Sequence, residues 1–300
     1  MGKELLRAPA QENTPWTIGR ILEWTTQYLR ADNQAVSTSR LEAQLLLAHA
    51  LNCSRTELYT RYDEQPTEAQ RSLLRDLVRQ RAQGCPVAYL LGRKEFFSLE
   101  FEVNPDVLIP RPDSEWLVAE TLELIKEISE PRLIDIGTGS GCLAIALAKR
   151  HPTARLTAVD RCDKALAVAR RNAEKHQVAD RIQFLQGDLF DSVPSGARFH
   201  VIFSNPPYIA TAQIATLDKD VRLHEPMLAL DGGCDGFAVL GPLMEKAPLF
   251  LEDQGWLIWE IGSDQEEESR TRIEKAGGWE LAKTVADGAG HPRVMKARRR

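Results

Sequence analysis

The chain has 300 residues, of which 43% are hydrophobic and 27% are charged, and its formal net charge is −5. This composition is typical of a globular protein with a full hydrophobic core, and the acidic balance argues against a large nucleic-acid-binding face. Five cysteines without C-x-x-C spacing argue against a disulfide framework and against a zinc site. No apolar stretch approaches the roughly 18 residues of a membrane span, and the polar N-terminus does not resemble a signal peptide, so we expect a cytoplasmic protein.

The first part of the chain has helical periodicity. Residues 1–14 are polar and predict a loose tail, whereas residues 15–85 predict a small helical domain. Two capping boxes are expected at helix starts, Ser39 with Glu42 and Thr67 with Gln70. No cluster of catalytic side chains lies in this domain, so its role is either structural or the recognition of a substrate partner.

A change to a period of two residues follows the helical domain. Apolar residues alternate from Phe97 to Val103, and another apolar run begins at Val107. The polar residues Asn104 to Asp106 lie between the two runs. This pattern predicts a β-hairpin linker over residues 86–113 with its turn at Asn104–Asp106.

Residues 114–300 alternate between strand and helix patterns, which predicts an α/β fold. The expected architecture is a Rossmann-like, doubly wound and mostly parallel seven-stranded sheet. No helical pattern separates the last two strands, so they predict an antiparallel hairpin at one edge. The predicted strands are Arg132–Ile136, Arg155–Val159, Ile182–Leu185, His200–Phe203, Trp256–Ile261, Glu280–Ala286 and Val294–Ala297.

A glycine loop connects the first of these strands to an apolar helix. Gly137, Gly139 and Gly141 allow a sharp turn and a close approach of the backbone to a ligand, and the helix N-terminus offers free N–H groups. The spacing is G-x-G-x-G. A dinucleotide-binding loop needs glycine where Cys142 stands, so a dehydrogenase is disfavoured.

Acidic residues follow the next two strands. Asp160 is placed to accept hydrogen bonds from ribose hydroxyls, and Asp188 could accept from an adenine amino group, with Leu189 or Phe190 beside the ring. Each acid alone is more often a surface residue. Their positions at successive strand ends favour a shared nucleotide site.

The motif Asn205-Pro206-Pro207-Tyr208 follows the predicted strand His200–Phe203. Proline has no N–H and a fixed φ, so the chain must leave the sheet as a stiff tip. Carbonyl acceptors and an aromatic ring on such a tip suit a flat amide or amino group. A simple Pro-Pro turn is the alternative, and the upstream nucleotide site makes it the weaker one.

These motifs together carry a family resemblance. The segment from Asp135 to Gly141, followed by the motif at 205–208, resembles class I S-adenosylmethionine-dependent methyltransferases that act on a planar nitrogen. The helical domain and the segments 86–96, 107–115, 225–233, 260–262 and 287–293 resemble the peptide chain release factor glutamine methyltransferases, the HemK/PrmC family. The resemblance covers roughly residue 15 to the C-terminus.

The resemblance implies methyl transfer from S-adenosylmethionine to the glutamine of the Gly-Gly-Gln loop in class I release factors, without a metal. Asn205, Pro206 and Tyr208 are the expected catalytic residues, and Pro207 joins them in contacting the substrate. Class I release factors are the expected partners, without membrane or direct nucleic-acid binding. The expected cofactor-binding residues are Asp135, Gly137, Thr138, Gly139, Ser140, Gly141, Asp160, Asp188, Leu189 and Asn205.

Other interpretations stay open at this point. An adenine amino-methyltransferase shares the motif at 205–208, but the acidic balance fits nucleic acid poorly. A ribosomal-protein glutamine methyltransferase and a non-catalytic donor-binding protein are further alternatives. Arg111 and Glu115 could contact the donor or the substrate loop, or could form an interdomain ion pair. For His224, a role in loop packing is favoured over that of a catalytic base.

Overall fold

The computed structural model describes residues 15–32 and 38–300. The tail expected at residues 1–14 therefore lies outside the described residues. Contacts divide the chain into two units, one ending at Leu91 and the other spanning Gly92–Arg300. No helix in the described residues is long and apolar enough to cross a membrane.

The first unit is helical and has its own core of leucine, isoleucine and alanine side chains. Its helices are α1 (Ile18–Asp32), α2 (Ser39–Leu51), α3 (Glu57–Thr60), α4 (Glu68–Ala82) and α5 (Val87–Leu91). The division between the units thus falls after α5, whereas the sequence pattern predicts a linker that starts at residue 86.

One of the two expected capping boxes is present. The Thr67 hydroxyl accepts from the Gln70 N–H at 3.3 Å, and the Gln70 side chain accepts from the Thr67 N–H at 2.9 Å. The box predicted for Ser39 and Glu42 is wrong, because α2 already begins at Ser39. The Glu42 carboxylate instead forms a bidentate ion pair with Arg81 of α4, whose Nε and Nη2 donate to Oε2 and Oε1 at 2.9 and 3.0 Å.

The second unit begins with a β-hairpin, as expected, but its turn is not where the sequence suggested. Strands β1 (Arg93–Phe96) and β2 (Leu99–Glu102) pair in antiparallel register. The turn between them is formed by Phe97 and Ser98, whose φ angles are +51° and +60°. Positive φ at both central residues is the geometry of a two-residue hairpin turn. The hairpin turn is therefore not at Asn104–Asp106, where the chain instead makes a separate turn closed by the Val107 N–H donating to the Asn104 carbonyl at 3.1 Å.

The rest of the second unit is a sheet with helices on its faces. Its strand order is β5-β4-β3-β6-β7-β10-β8, with β9 paired to β10. Strands β3 to β7 run parallel, and β10 is antiparallel to its neighbours β7, β8 and β9. The strands are β3 (Arg132–Ile136), β4 (Arg155–Asp160), β5 (Ile182–Gln186), β6 (Phe199–Ser204), β7 (Leu251–Glu260), β8 (Trp279–Leu281), β9 (Val285–Ala286) and β10 (Pro292–Arg299).

Six helices complete the unit. They are α6 (Glu115–Ile125), α7 (Cys142–Arg150), α8 (Asp163–Lys175), α9 (Lys219–His224), α10 (Leu240–Lys246) and α11 (Glu266–Ala276). Two apolar clusters, one on each side of the strands, form the core. This arrangement confirms the predicted α/β class with a mostly parallel sheet and an antiparallel edge.

The sheet has eight strands where seven were predicted. The expected strand Glu280–Ala286 is divided into β8 and β9. The register of β9 against β10 shifts between Pro292 and Val294. Pro292 lies opposite Ala286 at the end of β9, so this shift falls within the β9–β10 pairing and not at the division between β8 and β9.

Candidate active site

A cavity of about 330 Å³ lies at the carboxyl edge of the parallel strands. In an open α/β sheet, this edge is where ligands bind. Apolar side chains including Val107, Val159 and Val239 contribute to its walls. The sequence-predicted residues that line it are Gly137, Gly139, Asp160, Asp188, Leu189, Asn205, Pro206 and Pro207.

The glycine loop needs its glycines for two different reasons. Gly137 and Gly139 have φ angles of +77° and +55°, and a Cβ at either position would meet no atom within 4 Å. Backbone conformation therefore requires glycine there, and the space beside the loop stays open. A Cβ on Gly141 would lie 3.0 Å from Ile145 and 3.1 Å from Ala169. Gly141 thus allows α7 to pack closely against α8.

Asp160 joins the glycine loop to the end of β4. Its two carboxylate oxygens accept from the Gly139 N–H at 2.8 Å and from the Cys162 N–H at 2.9 Å. Burial raises the pKa of Asp160, against the lowering effect of these backbone donors. Asp188 is exposed, and its Oδ1 lies 3.7 Å from Arg161 Nε.

Asp135 lies at the base of the loop but does not line the cavity. Its side chain is fully buried, and burial raises its pKa to about 7. One carboxylate oxygen accepts from the Thr138 hydroxyl at 2.7 Å, while the other has no partner in the described residues. The buried hydroxyl of Ser140 also lacks a partner there. An unpaired buried carboxylate oxygen at this position suits a positively charged ligand group.

The tip formed by residues 205–208 follows β6. The Asn205 side-chain Nδ2 donates to the Ser114 hydroxyl at 2.9 Å. Neither Asn205 Oδ1 nor the Pro206 carbonyl has a hydrogen-bond partner among the described residues. Two acceptors are therefore left available beside the cavity.

Neighbouring segments hold the tip in place. The Gln265 side-chain amide donates to the Tyr208 carbonyl at 2.8 Å, and the Gly232 N–H donates to the Ile209 carbonyl at 2.8 Å. A Cβ on Gly232 would lie 2.8 Å from the Pro207 carbonyl, and one on Gly236 would overlap the Tyr208 carbonyl. Both glycines are needed for this close approach.

A smaller cavity of about 80 Å³ adjoins the tip and is lined by Asn205, Tyr208, Arg111 and Glu260, among others. The Tyr208 hydroxyl lies 3.5 Å from Glu260 Oε1, and the Ser114 hydroxyl donates to Glu260 Oε2 at 2.5 Å. Burial raises the pKa of Glu260 to about 7 and also raises that of Tyr208. Neither Ser114 nor Glu260 was expected beside the motif; the available signal was a lone glutamate within the otherwise apolar predicted strand Trp256–Ile261.

The remaining candidates have separate contacts. Arg111 forms an ion pair with Glu225, whose second oxygen accepts from the Ile109 N–H at 3.1 Å. Glu115 accepts from the Phe97 N–H at 2.8 Å and so supports the hairpin turn. Both sets of partners lie within the second unit. His224 lines neither cavity, and its Nε2 is buried without a partner in the described residues.

Solved structures share the fold at low sequence identity. The catalytic domain of hMettl16 in complex with a 3'UTR hairpin superposes with a TM-score of 0.57 at 18% identity, over 75% of this chain and 80% of that one. The T. thermophilus 16S rRNA methyltransferase RsmC, in complex with AdoMet and guanosine, has a TM-score of 0.51 at 19% identity, over 69% and 50%. These similarities establish the methyltransferase fold alone.

Sequence comparisons are more specific. Residues 20–92 match the PrmC N-terminal domain, and residues 115–224 match the methyltransferase small domain. A release factor glutamine methyltransferase from Rhodopirellula baltica is 42% identical over 96% of this chain and 98% of its own length. A protein of the same name from Geobacter sulfurreducens is 40% identical over 94% and 97%. The chain belongs to the release factor glutamine methyltransferase family.

Proposed function

We propose that this protein transfers a methyl group from S-adenosylmethionine to the side-chain amide nitrogen of a glutamine in class I release factors, within their Gly-Gly-Gln loop. One observation carries the proposal for the site. Asn205 Oδ1 and the Pro206 carbonyl are unpaired acceptors on a rigid tip beside the larger cavity. The family supports the substrate, since its members are named for glutamine methylation of release factors.

The residues around the larger cavity fit S-adenosylmethionine. When bound, this cofactor supplies a methyl group on a positively charged sulfur, which is already strongly activated. Asp160 and Asp188 would bind the ribose and the adenine amino group, with Leu189 against the ring. The open glycine loop would allow close approach of the backbone, and Asp135 would favour the cationic methionine end. Thr138 and Ser140 would support the loop.

The acceptors on the tip would orient the substrate. An amide nitrogen is a poor nucleophile because its lone pair is delocalised into the carbonyl group. Asn205 Oδ1 and the Pro206 carbonyl would each accept one N–H of the glutamine amide, which aims the nitrogen lone pair. They would also stabilise the positive charge that develops on nitrogen. Correct alignment of this kind contributes on the order of 7–11 kcal/mol in the best intramolecular models.

The other residues of the motif would shape the substrate site. Tyr208 would cover one face of the flat amide, and Pro207 would stiffen the tip. The methylated amide would release its surplus proton to solvent, so the proposal needs no strong base. His224 keeps its predicted packing role.

The helical unit is proposed to recognise the release factor. The site residues all belong to the second unit, which leaves the first unit without a part in the chemistry. Aromatic and arginine side chains of α1 and α4 line a groove of about 400 Å³ in the first unit. In this proposal, residues 15–85 form the recognition domain, residues 86–113 the linker and residues 114–300 the methyltransferase domain. A substrate that works on the ribosome places the protein in the cytoplasm.

The direct test is to incubate the purified protein with labelled S-adenosylmethionine and a class I release factor. We expect a single added methyl, which mass analysis of peptides should locate on the glutamine of the Gly-Gly-Gln loop. A release factor with that glutamine replaced by alanine is the matched control and should stay unlabelled. Parallel reactions contain ribosomal protein or nucleic acid. Label in nucleic acid with none in the release factor would refute the proposal.

A further inference from the structure

We propose that Ser114 and Glu260 are positioning residues that set which way the Asn205 amide faces, so that its oxygen rather than its nitrogen is presented to the substrate. The inference rests on the role of Asn205 proposed above and extends it. It concerns three hydrogen-bonded side chains that lead inward from the tip, Asn205, Ser114 and Glu260, which we call the relay. An amide side chain has nearly the same shape in either orientation, so hydrogen bonds rather than shape must fix the orientation of Asn205.

The three side chains come from separate parts of the second unit. Asn205 follows β6, Ser114 immediately precedes α6, and Glu260 ends β7. The Asn205 nitrogen donates to the Ser114 hydroxyl at 2.9 Å, and that hydroxyl donates to Glu260 at 2.5 Å. Ser114 is 3% exposed and Glu260 is 2% exposed. Both side chains are thus shielded from bulk solvent, and Glu260 also lines the cavity of about 80 Å³.

The direction of each hydrogen bond follows from the charge on Glu260. A carboxylate has no hydrogen and can only accept hydrogen bonds, so the Ser114 hydroxyl must donate its single hydrogen to Glu260. Only lone pairs of Ser114 then face Asn205. An amide nitrogen can bind these lone pairs, whereas an amide oxygen would be repelled. The charged Glu260 carboxylate, acting through Ser114, thus holds the Asn205 amide with its Oδ1 toward the substrate.

Protonation of Glu260 would remove this constraint. A carboxylic acid can donate to Ser114, which frees the hydroxyl hydrogen to donate to Asn205 and allows the flipped amide. Burial raises the pKa of Glu260 to about 7, so the change falls in the neutral range. The titratable groups that face Glu260 are Asp113, Tyr208, Arg293 and Cys142. Asp113 raises its pKa, Arg293 lowers it, and the Arg293 charge is shared with Asp113 and Asp287.

The pH dependence of kcat follows from the charge state of Glu260. The oriented state needs the deprotonated carboxylate, which prevails above the pKa of Glu260. We therefore expect kcat to rise with pH through the region of about 7 and then to level off. Asp135 has a similar pKa, but a bound sulfonium donor would lower it, so saturating donor separates the two groups.

The first experiment removes the relay. Ser114→Ala should lower kcat about ten- to hundredfold, the scale for loss of one hydrogen bond to a charged group, while the donor Kd stays within about twofold. Ser114→Thr keeps the hydroxyl and should restore most of kcat. Thr121→Val is the matched control, because Thr121 is a buried hydroxyl on α6 that donates only to Leu117 within its own helix, at 2.7 Å.

The second experiment replaces the charge. A glutamine at position 260 can both donate and accept, and it does not titrate. Glu260→Gln should therefore lower kcat at high pH and abolish the fall of kcat toward low pH. Both are measured with saturating donor and release factor between about pH 6 and pH 8.5. Thermal unfolding of each variant checks that the fold is kept.

The outcomes separate this inference from the proposed function. If the wild-type protein transfers no methyl to release factor glutamine, the proposed function fails. If the wild type is active but Ser114→Ala keeps full kcat, the positioning role is refuted. The role is also refuted if the fall of kcat at low pH persists unchanged in Glu260→Gln. A loss that Ser114→Thr does not restore would indicate a packing defect and would equally contradict the inference.

Discussion

At the scale of single residues, Asn205 has one end of its amide bound and the other end free. Asn205→Ala removes an acceptor that would act only on the reacting amide. We expect kcat to fall about a hundredfold or more, the usual effect of deleting one group that stabilises developing charge. Binding of S-adenosylmethionine, measured by calorimetry, should change by less than about threefold.

The Asn205→Ala variant keeps the second proposed acceptor, and its donor affinity can be measured separately from kcat. Pro206 keeps its backbone carbonyl in the variant, so residual transfer measures what one acceptor can do alone. A parallel loss of donor affinity and kcat would assign Asn205 to cofactor binding instead. Unchanged transfer to the release factor would contradict the clamp proposed for the tip.

Asp160 should affect the donor rather than the chemical step. Both of its oxygens already bind backbone N–H groups, at 2.8 and 2.9 Å, so the side chain holds the glycine loop in shape. Asp160→Ala should raise the donor Kd about tenfold or more, because it removes hydrogen bonds to a charged group. With saturating donor, kcat should stay near the wild-type value.

Asp163→Ala is the matched control for Asp160→Ala, since Asp163 is an exposed acid at the start of α8 and does not line the cavity. Its donor Kd should stay unchanged. Equal effects of the two substitutions would mean that local charge, rather than the loop contact, governs donor binding. A fall in kcat without a change in Kd would contradict the assignment of Asp160.

The candidate site was predictable from sequence where its residues lie at successive strand ends. Gly139, Asp160 and Asp188 follow consecutive parallel strands, so the topology alone brings them to one edge of the sheet. The relay behind Asn205 was not predictable in the same way. Ser114 and Glu260 are 146 positions apart in the chain, and neither has a local pattern that indicates the other.

At the scale of elements, the errors have local physical causes. The hairpin turn occupies Phe97 and Ser98, two residue types that rarely adopt positive φ, so the usual Asn-Gly or Asp-Gly signal is missing. The expected Ser39–Glu42 box failed because α2 begins at Ser39, one residue too early for Ser39 to be its N-cap, and Glu42 pairs with Arg81 of α4. By contrast, β3 begins and ends where the sequence pattern predicted, since its mainly apolar residues stop at the glycine loop.

The tip at 205–208 depends on a neighbouring glycine segment, which provides a prediction for that element. Gly232→Ala places a methyl group 2.8 Å from the Pro207 carbonyl, closer than the two atoms can approach. The tip must shift, and misalignment by a fraction of an ångström lowers transfer. We expect kcat to fall about tenfold or more, with little change in donor Kd.

Gly241→Ala is the control, because a Cβ at Gly241 of α10 meets nothing within 4 Å. Gly241 lies in the first turn of α10, so Gly241→Ala should keep or slightly raise stability and leave kcat unchanged. Steady-state kinetics and thermal unfolding measure both quantities. Wild-type kcat in Gly232→Ala would show that the tip tolerates movement, which would contradict the alignment mechanism.

At the scale of the whole molecule, the proposed division of labour assigns the chemistry to one unit and recognition to the other. The groove in the helical unit is lined by the aromatic residues Trp16, Trp24 and Tyr28 and by arginines of α4. Trp24 stacks on Tyr28 with ring centroids 5.2 Å apart. Aromatic and arginine side chains are the types that contribute most to protein interfaces.

Recognition by this groove predicts a defect that depends on substrate size. Trp24→Ala and Arg75→Ala should each raise the KM for the intact release factor about tenfold, the scale of an interface residue worth more than 1 kcal/mol. Neither should change the donor Kd or the methylation rate of a short peptide that carries only the Gly-Gly-Gln loop. Trp116→Ala removes a tryptophan of α6 that is 40% exposed and outside the groove, so it is the matched control. Equal losses with the peptide and the intact factor would place the defect in the catalytic unit and would contradict recognition by the groove.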